Sequence, residues 1–421
     1  MEPIPDPRGR NMLNLLQGIR VVEAASFVAG PSAGVMLHHY GAEVIRIDPL
    51  QGGPDNGRWP LAPSGESLYW QGLNAGKRSV TIDLSHAEGQ ALAQAIITAP
   101  GPEAGLFVTN HPASSRTFQH DRLAEKRPDL VTVRIMGWSD GRPAVDYTVN
   151  CAVGVPEMTG EPEGSPVNHM LPAWDLLAGA GAAFAVLAAK HARDRTGRGF
   201  ELRLPLGELA LSTVGQLGII AEAFLTDQDR PRIGNALYGS FGRDFATSDG
   251  RRIMVVALTA RHWVGLVDAL DLKEEIALVE ARIGLSLSSD EGARFRHRAE
   301  LEALIAPRLA ALNYEKATEL LDRAGVLWGP YRKPTDLLKE EPALSSDGWL
   351  FSTVTHPGGL SYPTPGPAAH IAGATRGVPD RAPVLGEHTS YVLRSLLGLS
   401  ETEISRLHAH RIIRCAAAPE L

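Results

Sequence analysis

Residues 18–48 decide the fold. Gly18-Ile19-Arg20-Val21-Val22-Glu23-Ala24 is a short, nearly continuous apolar run and reads as a buried strand. Phe27-Val28-Ala29-Gly30-Pro31 is a turn, and Ser32 to Tyr40 suits a short helix with Pro31 near its start. Gly41-Ala42-Glu43-Val44-Ile45-Arg46-Ile47-Asp48 is a second strand. Strand, helix and strand in so few residues specify a parallel βαβ unit. Ligands bind such sheets beyond the carboxyl ends of the strands. The G-x-G-x-x-G fingerprint of a dinucleotide site is absent, which argues against a nicotinamide or flavin cofactor.

The alternation continues outward from this unit. Val80-Thr81-Ile82-Asp83-Leu84, Gly105 to Asn110, Leu130 to Ile135 and Phe200 to Leu204 read as strands, and Ala87 to Ile97 as a helix. The predicted class is α/β, with both faces of the sheet covered. Helices are predicted over 207–225, 261–271, 291–312 and 314–324, a strand over 252–258, and an apolar turn at Gly325 to Tyr331. The predicted organisation is a disordered start over 1–14, a large domain over 15–230, a smaller α+β domain over 235–345, and a tail over 346–421. The Pro-containing, charged stretch Asp227 to Arg232 reads as a linker, and the tail has too little apolar sequence for a core of its own.

The bulk properties exclude several classes. A chain of 421 residues, 44% hydrophobic and 21% charged, has the make-up of a globular enzyme of more than one domain. A net charge of −7 without any basic run argues against nucleic-acid binding. Two cysteines, Cys151 and Cys415, make neither a disulfide framework nor a metal cage, so no metal is expected. The polar, Pro-rich start is unlike a signal peptide, and the expected location is the cytoplasm.

One acid stands out. Met170 to Ala189 is a long Gly- and Ala-rich apolar run whose only charge is Asp175, just after Pro172. Its length approaches a membrane span, but the acid near one end and the small residues favour a buried helix, and no membrane association is expected. Asp175 at a helix start is either a helix cap or an ionised, poorly hydrated nucleophile. Lys77 and Arg78, beside Gly76 and ahead of a strand, are either phosphate contacts or a solvated basic turn.

Several segments together resemble the family III CoA-transferases. They are Leu16 to Glu23 with Ala29-Gly30-Pro31, Gly41 to Arg46, Asn74 to Ser79 with Ile82-Asp83-Leu84, Arg195 to Gly199, Gly325 to Pro330, and Leu385-Gly386-Glu387-His388-Thr389. The resemblance implies a Rossmann-like large domain built from both chain ends, a smaller domain between, and two ring-like subunits interlocked as a homodimer. It places the catalytic aspartate at Asp175. It places CoA-binding segments at Val28 and Ala29, at Ile82, Asp83, Leu84 and Ser85, and at Asn110, His111 and Pro112. Pro49 stands where some relatives carry an arginine on CoA, which makes Arg46 and Lys77 the substitutes expected there. CoA enters as part of an acyl-CoA substrate, with no separate cofactor.

A sister branch of racemases uses a histidine just before an aspartate as a second base. Here that pair is Val145-Asp146, and valine takes no proton; His169 either replaces the base or is structural. Ser26 to Ala29, Asp146 to Asn150, Val167 to Asp175 and Tyr238 to Phe245 are similar to a branch that moves CoA between the two carboxyls of one C5 unsaturated dicarboxylate. The alternative is transfer to a separate acid. Gly239 and Gly242 are candidate oxyanion donors. Arg243 either binds the free carboxylate or pairs with Asp244 or another acid.

Overall fold

The computed structural model describes residues 13–345, 349–373 and 377–416. Most of the expected disordered start therefore lies outside the described residues. Leu13 is buried, and Leu16 N–H donates to Tyr40 O at 2.8 Å. Parts of the predicted tail, 346–348, 374–376 and 417–421, also lie outside them.

The chain divides into two compact units. The first comprises the residues up to Val153, His169–Ala221 and those from Glu341 onward. Its elements begin β1 (Arg20–Ala24), α1 (Ala29–His39), β2 (Glu43–Asp48), α2 (Leu68–Asn74), β3 (Arg78–Ile82) and α3 (Ala87–Ile97). They continue β4 (Leu106–Thr109), α4 (His120–Lys126), β5 (Val131–Met136), α5 (Asp146–Ala152), α6 (Ala173–Thr196) and β6 (Phe200–Pro205). The six strands are parallel, in the order β3-β2-β1-β4-β5-β6. That order is doubly wound, and it reverses direction between β1 and β4, where such sheets open a ligand crevice.

β1 to β5 are buried almost throughout, as their apolar runs require, while the edge strand β6 is only half-buried. Among the charges that interrupt those runs, two buried ones face each other: Glu23 of β1 is in register with Arg46 of β2.

By length and composition α6 is long and apolar enough to cross a membrane. In this fold its face Ala178, Gly179, Ala182, Val186 and Ala189 is buried, and α6 lies along α1. Both helices lead into a parallel strand, so both run from the carboxyl edge of the sheet toward its amino edge. The close approach falls at Gly179, where a Cβ would sit 1.9 Å from Ser32 Oγ and 2.9 Å from Ala29 O.

The second unit holds 154–168 and 222–340. The segment 154–168 thus clusters away from the large domain to which the sequence assigned it, and Gly234 N–H donates to Gly160 O at 2.9 Å. β7 (Phe241–Ala246), β8 (Arg252–Ala257) and β9 (Leu327–Pro330) form an antiparallel sheet, with β8 in the centre. The predicted turn at 325–331 is therefore mostly a strand. Phe241, Ile253, Val255, Trp263, Leu301 and Ile305 fill the core under the flanking helices. A helix absent from the sequence reading occupies Lys273–Ile283.

The remaining chain re-enters the first unit. β10 (Phe351–Thr355) and β11 (Ser361–Pro365) make a hairpin, and β12 (Ile413–Arg414) pairs antiparallel with β3. Val392, Leu393, Ile404, Leu407 and Ile413 join the core of β1–β4, which supplies the burial that the tail lacks by itself. The single helix predicted over 207–225 breaks at Gly218, whose φ is +77°.

Candidate active site

The site begins at the N-terminus of α6. Its cap residue, Pro172, offers no side-chain hydrogen bond, so the first amides need another acceptor. Asp146 supplies it from α5. Its Oδ2 accepts from Trp174 N–H at 2.7 Å and from Asp175 N–H at 3.0 Å. Oδ1 is 2.7 Å from His169 Nε2. Trp174 Nε1–H donates to Asn150 Oδ1 at 2.9 Å, a second tie between the same two helices. The capping acid is therefore Asp146, which the sequence marks as the neighbour of Val145 and the start of a resembling segment but not as a cap. Asp175 is left without cap duty.

Asp175 is half-buried. Among the described residues its carboxylate has no hydrogen bond and no ion pair. Burial first, and the Asp146 carboxylate second, push its pKa up to about 6, while Arg58 pulls the other way. The carboxylate is thus ionised at neutral pH yet poorly stabilised, which suits a nucleophile.

Its location follows from packing. Asp175 and Gly179 are one turn apart on the same face of α6. Gly179 abuts the first turn of α1, so Asp175 lies about 6 Å further toward the carboxyl edge. The switch point is at that edge. There the Ser26 N–H donates to Asn110 Oδ1 at 3.2 Å, and Asn110 Nδ2–H donates to Ser26 O at 3.0 Å. Val28 is the cap position of α1 and Ala29 its first residue; both are buried, and α1 starts without a side-chain cap.

The other residues expected around CoA also emerge at this edge. Ile82 ends β3 and is fully buried. Asp83 Oδ1 accepts from the Ser85 N–H at 2.9 Å and Oγ–H at 2.6 Å, which forms a tight turn; Leu84 within it is half-buried. His111 packs on Phe118, and burial first, with the Arg134 charge second, lowers its pKa. Pro112 is exposed.

Arg46 and Lys77 need correcting. Neither presents a surface to a phosphate. Arg46 is 1% exposed and bonds Asp48, Asp55 and Asn74, with Glu23 at 3.4 Å. Lys77 Nζ, equally buried, donates to Glu23 Oε2 at 2.8 Å, Asn74 Oδ1 at 3.0 Å and Pro31 O at 2.8 Å. Burial lowers Lys77 to about 8 and raises Glu23. The cluster is a buried electrostatic brace under β1, β2 and α1. Two charges of opposite sign inside adjacent apolar strands were the signal for it.

Gly239, Gly242 and Arg243 belong to the second unit. Gly239 has a φ of +79°, as a turn requires. Gly242 is not in a glycine-rich turn: it lies in β7 opposite Val256, and its carbonyl accepts from Leu237 N–H at 2.8 Å. Arg243 Nη1–H donates to Glu302 Oε2 at 2.6 Å, so its partner is Glu302; Asp244 pairs with Arg252.

Sequence reading missed Arg58 and Tyr69. The Arg58 guanidinium lies 5.5 Å from the Phe27 ring centre and 5.4 Å from that of Tyr69. Burial raises the Tyr69 phenol to about 12, with Asp175 among its charged neighbours, so it stays protonated. A glycine-rich loop with one arginine carries no pattern that marks either residue.

Residues 16–389 match CoA-transferase family III, and the chain belongs to that family: it is an enzyme that transfers coenzyme A. The 2-methylfumaryl-CoA isomerase of Chloroflexus aurantiacus is 44% identical over 405 residues, covering 96% of this chain and 98% of that one. The succinyl-CoA–D-citramalate CoA-transferase of the same organism is 27% identical, covering 94% and 98%. A CAIB/BAIF family protein from Brucella suis shares the fold, with a TM-score of 0.73 at 24% identity over 90% of this chain and 99% of that one.

Proposed function

We propose that this chain moves CoA from the C1 to the C4 carboxyl of mesaconate (2-methylfumarate) within a single molecule. The observation that carries the reading is the 44% identity, end to end, to a 2-methylfumaryl-CoA isomerase. Asp175 supplies the chemistry. Its carboxylate attacks the thioester carbonyl, the C–S bond breaks, and CoA leaves as thiolate from a mixed anhydride. The thiolate then attacks the Asp175 carbonyl carbon, releasing the diacid and leaving an Asp175–CoA thioester. The C4 carboxylate attacks that thioester and expels the thiolate again. A last thiolate attack at C4 gives the C4 ester and restores Asp175. Each step exchanges one acyl bond for another, so no oxidant or external acceptor is required.

The uncapped first turn of α1 supports this reading, because its N–H groups can stabilise a developing oxyanion. The unpartnered, half-buried state of Asp175 supports it too. The proposal takes the enzyme to be a cytoplasmic homodimer. Purified protein incubated with mesaconyl-C1-CoA alone should yield mesaconyl-C4-CoA, and Asp175→Ala should yield none. Turnover only after a free acid is added would favour intermolecular transfer, as in the citramalate enzyme. The His169–Asp146 pair revives the racemase alternative, and incorporation of solvent deuterium at a substrate α-carbon would favour it.

A further inference from the structure

The isomerisation reading needs a cation that holds whichever carboxylate is not carrying CoA. Arg46 is saturated by Asp48, Asp55 and Asn74, and Arg243 is bonded to Glu302. Arg58 differs from both. Its side chain has no hydrogen bond and no ion pair among the described residues. Its backbone is nevertheless fixed: its N–H donates to Asp55 O at 3.2 Å, and its carbonyl accepts from Ser67 Oγ–H at 2.5 Å.

The rings on either side of it are fixed as well. Phe27 follows β1 at the switch point, with a φ of +69°, and its N–H donates to Asp55 Oδ2 at 3.1 Å. Asp55 is buried and pairs with Arg46, so the electrostatic brace reaches the loop that carries the ring. Tyr69 sits in α2, whose cap Ser67 is the residue that bonds Arg58 O. A guanidinium lying against aromatic faces keeps its in-plane N–H edge free, and that edge matches a carboxylate bidentately.

We infer that the Arg58 guanidinium, held against the rings of Phe27 and Tyr69, takes the carboxylate of the acyl group that is not esterified to CoA. The inference rests on the isomerisation reading and deepens it. The substrate and product of that reaction differ by exchange of their two carboxyl groups. One cation beside the reacting acid therefore serves both ends of the diacid, and the two rings wall its alkene and methyl group.

The test uses full-length protein carrying Asp175→Asn, which binds without turning over. Calorimetry compares mesaconyl-C1-CoA with tiglyl-CoA, which has a methyl group where the former has its C4 carboxylate. The Asp175→Asn protein should prefer the diacid ester by roughly 10- to 100-fold. Adding Arg58→Gln should erase that preference and leave tiglyl-CoA affinity unchanged, and Arg58→Lys should restore part of it. A preference that survives Arg58→Gln, or that is absent from the start, overturns the inference. So does an equal loss of both affinities, which would make Arg58 a CoA contact or a structural residue. The isomerisation reading is judged separately, by product formation in the unsubstituted enzyme. Failure to isomerise with an Arg58-dependent preference removes only that reading; isomerisation with an Arg58-independent preference removes only this inference.

Discussion

Asp146 Oδ2 accepts the backbone N–H of Asp175 at 3.0 Å, so one carboxylate fastens the helix end from which the other projects. The same contact does two things. It satisfies amides that Pro172 leaves open, and it places a second negative charge beside the reacting acid. Structure and reactivity are coupled through one side chain.

Replacing Asp175 by Asn should abolish turnover and stabilise the unliganded protein. The folded pKa of about 6 lies above the ordinary aspartate value of ~3.9, so the folded state holds the proton more tightly. Keeping the carboxylate ionised is therefore a cost, fully present above about pH 6 and relieved as pH falls toward 4. Urea unfolding should show Asp175→Asn more stable by about 1–3 kcal/mol at pH 8, with the gain gone at pH 4. In the unsubstituted enzyme, kcat/KM should fall as pH drops through 6.

Asp146→Ala should lower stability by about 1–3 kcal/mol, because two amides at a buried helix end lose their acceptor. Asp146→Asn keeps an acceptor oxygen and removes the charge. Its acid limb in a kcat/KM profile should move to lower pH, since the neighbouring charge raises Asp175. An unmoved limb in a folded Asp146→Asn enzyme would contradict the coupling.

Gly179→Ala reverses the usual sign of a helix substitution. In an exposed helix the change gains about 1 kcal/mol. Here the added Cβ meets Ser32 Oγ at 1.9 Å and Ala29 O at 2.9 Å. Thermal and urea unfolding should show a loss of about 1–3 kcal/mol. Activity should fall further than stability, because α6 carries Asp175. Ser32→Gly in the same chain should recover part of both.

Lys77→Met tests the brace. It leaves Glu23 buried without its ammonium partner, and unfolding should show a loss of about 3–5 kcal/mol. A phosphate contact would behave differently: the KM for acyl-CoA would rise while stability held.

Local pattern made the sheet and the acid legible. The apolar runs at 20–24 and 43–48 with a short helix between them demand parallel pairing, and a lone carboxylate in an Ala-rich helix start is conspicuous. What the sequence hid was pairing across distance. Asp146 reaches Asp175 over 29 positions, and nothing local tells a helix cap from a helix-capped nucleophile. Lys77 beside Gly76 looked like a phosphate turn because its partner Glu23 lies 54 residues away. Arg58 was invisible for the same reason: its setting comes from Phe27 and Tyr69, neither adjacent to it.

The antiparallel pairing of β12 with β3 bears on biosynthesis. Thr81 Oγ1–H reaches Arg414 O across 333 positions. At a ribosomal pace of about 5–20 residues per second, the nascent sheet waits tens of seconds for that edge. Meanwhile the continuous 222–340 segment is already available to collapse. The half-finished sheet keeps β3 unpaired on one side throughout, an opening for chaperones and for mispairing with other nascent chains.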